Sequence, residues 1–253
     1  MIPSCQKYKE NTGDITSQLV SAMNTHNNSG KNFLDVSFPD NPFDEAGLIH
    51  NQLITNILSN GYMDNDSLKF IEGFNLYTGF NIQNLNVFHH IMDEIYPLAF
   101  DKDGNYLSNF VNQLENIPDL EKQTLNTFFI EMDKYDDYSN KICASKKAET
   151  FIMENHDYTN SMKERLLSAM AIYRYSLYLW HTTLPNEEKG KCKWEDVYSR
   201  FDALGEYIAV TYDPELNELY GIVIEDGKDV YRYAGAVSLS AAITFTFISW
   251  WFC

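Results

Sequence analysis

The stretch from Met162 to Trp180 constrains this chain more than any other. Leu166, Leu167, Met170, Tyr173, Leu177 and Trp180 recur at helical spacing in a segment that is apolar almost throughout. A helix of that composition has to be enclosed by other elements, so it predicts the centre of a core. Arg174 and Ser176 stand within it. A buried arginine keeps its charge and needs a carboxylate, and the candidate partner is Asp44.

Other helical patterns supply what would enclose it. One starts near Asn41-Pro42, with Asp44 and Glu45 in a favourable first turn, runs through Ala46, Ile49, Leu53, Ile54, Ile57 and Leu58, and stops at Gly61. Further segments follow at Leu68 and Ile71, at Leu85 to Ile95, at Leu107 to Leu114 and at Leu120 to Met132. Ile142 to Ile152 is a weaker one, and a short turn of helix is expected between Trp194 and Leu204. The expected fold is therefore mainly α, a multi-helix globular bundle. Near the C-terminus Tyr207 to Tyr212 and Leu219 to Ile224 are rich in β-formers and flanked by Asp-Pro and Asp-Gly turn signals, which suits a small β-hairpin, with helix the alternative because short apolar runs fit both.

The two ends differ from this body. Residues 1–40 carry little sustained apolar periodicity and read as a flexible tether with a helical turn or two, and 41–233 form the helical body. Residues 234–253 contain no charge, a length that as a helix matches a bilayer core of about 30 Å. Five hydroxyl residues and the absence of a basic anchor weigh against insertion. Thr244 to Ile248 also alternates with period two, so this segment reads as a buried closing element, a membrane segment or an exposed tail.

Nineteen basic against thirty-six acidic residues give a formal charge of -17, which disfavours nucleic acid as a partner. Cys5, Cys143, Cys192 and Cys253 are widely spaced and form neither a disulfide framework nor a zinc pattern. Around Cys5, a preceding small residue and a following polar Gln6-Lys7 match the end of a bacterial lipoprotein signal, in which the cysteine receives the lipid. That reading puts the protein in the cell envelope, membrane-anchored, and makes Met1 an internal methionine. With Met1 as the true start, the expected location is the cytoplasm.

Three stretches carry a resemblance. Asn41-Pro-Phe-Asp44, Gly47 and His50-Asn51 look like an N-P-(Y/F)-D-x-x-G-x-x-H-N opening. Leu166 to Trp180 contains Arg174, Ser176 and Trp180 in an R-x-S pattern followed by an aromatic-Trp pair. Asp229 precedes Ala234-Gly235-Ala236. Together they resemble a group of Bacteroidota proteins without a known activity, many of them predicted lipoproteins. The resemblance implies a helical fold and lipid attachment at Cys5, and it marks Asp44, Gly47, His50, Asn51, Arg174, Ser176 and Trp180 as motif residues without assigning them a role. The chain departs from those proteins after Gly235, where no glycine follows.

Chemistry-bearing patterns are sparse. His89/Asp93 and His90/Glu94 form i, i+4 pairs that begin a metal site, but no second cluster completes one, and a solvated helix face is the favoured reading. Asp101 to Asn105 has its glycine too early for a calcium loop. His50 and Asn51 lie near the apolar side of their helix and suit buried hydrogen bonds. No catalytic residue, metal ligand set or cofactor fingerprint emerges, and the pattern leans away from an enzyme. The expected function is that of a non-enzymatic cell-envelope lipoprotein with a binding or structural role. The alternatives are a membrane-active effector, toxin or bacteriocin-like, that inserts 234–253, and a metal-dependent enzyme centred on His90 and Glu94.

Overall fold

In the computed structural model the residues described are 12–25, 35–60 and 117–183, with 72, 73, 75, 76, 111 and, further on, 195, 196, 198–200, 202–205 and 207. Five helices account for most of them: α1 (Thr12–Asn24), α2 (Asp44–Ser59), α3 (Asp119–Met132), α4 (Tyr138–Glu154) and α5 (Asn160–Thr183). The described positions between 195 and 207 are helical too, and no strand occurs among the described residues. The chain is a multi-helix bundle.

Its axis is α5. Every residue from Leu166 to Leu177 is buried, so this part of the helix has no solvent face. α2 packs along it most extensively, α4 and α3 lie on other sides, and α1 sits on α3 and α4. Around Tyr173 the aromatic rings meet edge to face, with centroids 5.3 Å from Phe128 and 6.3 Å from Phe129.

Local chemistry sets the helix ends. Pro118 leads into α3 at φ -58°, with Asp119 and Glu121 in the first turn, where carboxylates favour the positive end of the helix dipole. The Asp137 side chain caps α4 by accepting from the Asn140 N–H at 2.9 Å. α2 begins two residues later than Pro42, because the Asn41 side chain accepts from the Phe43 N–H at 2.8 Å and makes a turn of residues 41–43.

One sequence expectation is corrected. Residues 12–24 fell within the tether over 1–40, yet they form α1, docked rather than loose. Its Leu19 and Met23 are buried to 0% and 1% exposure, and Asn24 Nδ2 donates to Glu131 Oε2 of α3 at 3.2 Å. Ile15, Leu19 and Met23 are four residues apart, a narrow stripe on a helix that packs against both α3 and α4. In the segment read as a hairpin or a helix, Tyr207 is helical and buried. The rest of the expected hairpin, the apolar segment 234–253, Cys5, the His89–Glu94 group and Asp101–Asn105 lie outside the described residues.

Candidate functional site

The motif residues converge on the seam between α2 and α5. Arg174 is completely buried at its centre and binds two carboxylates. Its Nε donates to Glu149 Oε1 at 2.9 Å and its Nη2 to Glu149 Oε2 at 3.0 Å, a bidentate pair, while Nη2 also reaches Asp44 Oδ1 at 2.7 Å. Asp44 is thus the partner expected from the sequence, and Glu149, fully buried on α4, is the one the sequence did not indicate. Burial opposes the guanidinium charge, but Glu149 and Asp44 outweigh it and raise its proton affinity above the ordinary arginine value.

Neighbouring groups close the network. Asn41 Nδ2 donates to Glu149 Oε2 at 2.7 Å and to the Leu167 carbonyl at 3.1 Å, tying the turn before α2 to both α4 and α5. Asp44 Oδ2 accepts from the Phe38 N–H at 3.0 Å and the Tyr175 hydroxyl at 3.2 Å. The rings of Phe38 and Tyr175 lie 5.9 and 5.4 Å from the guanidinium carbon. Gly47 sits where α2 crosses α5. A Cβ there would lie 2.3 Å from Tyr175 Cδ2 and 2.7 Å from the Ala171 carbonyl oxygen, so the glycine is demanded by space.

One turn further along, Asn51 Nδ2 donates to the Tyr175 carbonyl at 2.7 Å, and its Oδ1 lies 3.2 Å from His50 Nδ1. On the other side of His50, Nε2 is 3.7 Å from Asp202 Oδ2. The same carboxylate oxygen accepts from the Ser176 hydroxyl and, at 2.9 Å, from Trp180 Nε1. Serine, histidine and aspartate therefore meet here, but in the wrong order for a nucleophile. The serine hydroxyl donates its hydrogen bond to the aspartate rather than to a histidine base, and all three side chains are fully buried. Their arrangement satisfies polar groups inside the core.

A cavity of about 370 Å³ lies elsewhere, between the start of α4, the end of α5 and the helical residues beyond 195. Its lining includes Tyr138, Ser139, Lys141, Leu177, His181, Glu195 and Asp196, with Asp136 and Asp137 at the α3–α4 turn. Lys141 and Asp196, 4% and 5% exposed, pair at 2.9 Å. Asp196 is further held by the Tyr173 hydroxyl and by Arg200 Nη2, each at 2.6 Å. The rings of Tyr138 and His181 stack, with centroids 4.7 Å apart and planes 10° from parallel. Three buried atoms on lining residues, Tyr138 Oη, His181 Nδ1 and Glu195 Oε2, make no hydrogen bond among the described residues. Burial, then Tyr178, pushes the Tyr138 phenol well above its ordinary range, which keeps it protonated.

Sequence and structure thus divide the molecule differently. The motif residues Asp44, Gly47, His50, Asn51, Arg174, Ser176 and Trp180 form one continuous interior seam. Lys141, His181, Glu195 and Asp196 escaped the sequence reading, because no fixed spacing joins residues drawn from two helices and a distant segment. Among the described residues no group of three or more His, Cys, Asp or Glu side chains is arranged to hold a metal ion, and no helix is long and apolar enough to cross a membrane. No protein-family model, curated protein or solved structure matches the chain.

Proposed function

We propose that this chain is a non-enzymatic lipoprotein of the cell envelope, anchored through Cys5, whose helical body binds a ligand in the cavity at the α4–α5 end. One observation carries this reading. The motif residues are spent largely on buried contacts between α2, α4 and α5, which makes them the frame of the bundle, whereas the open space lies at the other site. The anchor is supported by Ser4 before Cys5, the polar Gln6-Lys7 after it and the resemblance of residues 41–51 and 166–180 to Bacteroidota proteins, many of them predicted lipoproteins. The charge of -17 argues against nucleic acid as the ligand.

A second reading, a membrane-active effector, draws on the twenty charge-free residues from Ala234 to Cys253. Fractionation of native cells separates the two. Release of Cys5→Ala from the membrane, with retention of a truncation before Ala234, is the outcome expected for the lipid anchor. Retention of Cys5→Ala together with release of the truncation would overturn it in favour of insertion.

A further inference from the structure

We draw no further inference here: the strongest candidate, the group of Asp136, Asp137, Glu195 and Asp196 at the α4–α5 cavity, belongs to the site already described and is an acidic cluster with nothing beside it among the described residues to identify a ligand's chemistry.

Discussion

Arg174 shows how one residue can organise a core. Its charge is tolerable at 0% exposure because Glu149 and Asp44 meet it with three hydrogen bonds, and each of those acids depends on it in turn. Arg174→Met should therefore cost about 3–5 kcal/mol, the range for stranding a buried partner charge. Asp44→Asn should cost less, since Asp44 is 14% exposed and the guanidinium keeps Glu149. Urea denaturation of the two variants checks the order, and an equal loss would mean that Asp44 carries as much of the charge as Glu149. At Gly47 the prediction is steric: Gly47→Ala should destabilise by about 1–3 kcal/mol, because the Ala171 carbonyl cannot move aside without shifting α5. A melting temperature equal to that of the parent chain would contradict this close crossing.

At the scale of elements, the reading of the sequence was best where periodicity was strong. α2, α3 and α5 follow largely from apolar spacing, and α5 announces its central position by its long, strongly apolar run. The Arg174–Asp44 pair followed from a simple rule, that a charge in such a helix needs an opposite one. Glu149 did not, because α4 is a weakly apolar helix whose acid looks like any surface residue until the fold turns it inward. α1 was obscured by its polar surroundings, since a stripe made of Ile15, Leu19 and Met23 shows itself only once α3 and α4 are there to pack against. Leu19→Ala tests the point. A docked α1 predicts a loss of about 2–5 kcal/mol by chemical denaturation, and a tether predicts none. The cavity was illegible for a different reason: its residues span 136 to 196 and meet only through tertiary packing.

The whole molecule is an acidic bundle whose interior holds several ion pairs. Arg174 with Glu149 and Asp44, Arg165 with Glu121, and Lys141 and Arg200 with Asp196 join α2, α3, α4, α5 and the residues beyond 195. This arrangement has a pH signature. Burial pushes the Asp196 carboxyl up, but Arg200 and Lys141 outweigh it and hold it below the ordinary 3.8. A carboxyl depressed in the fold stabilises fully above its unfolded value and loses that contribution as pH falls through its folded one. Stability should thus decline as the pH drops below about 3.8, with a shallower decline in Asp196→Asn, as followed by denaturant midpoints across that range. The central claim is that the motif residues are the bundle's interior frame, and a double-mutant cycle on Arg174→Met and Glu149→Met tests it most directly. Each single variant leaves a buried charge short of its partner, whereas the double variant puts two apolar side chains in contact. The account predicts that the double variant is more stable than the sum of the single losses allows, by about 3 kcal/mol or more. Strictly additive losses would contradict it.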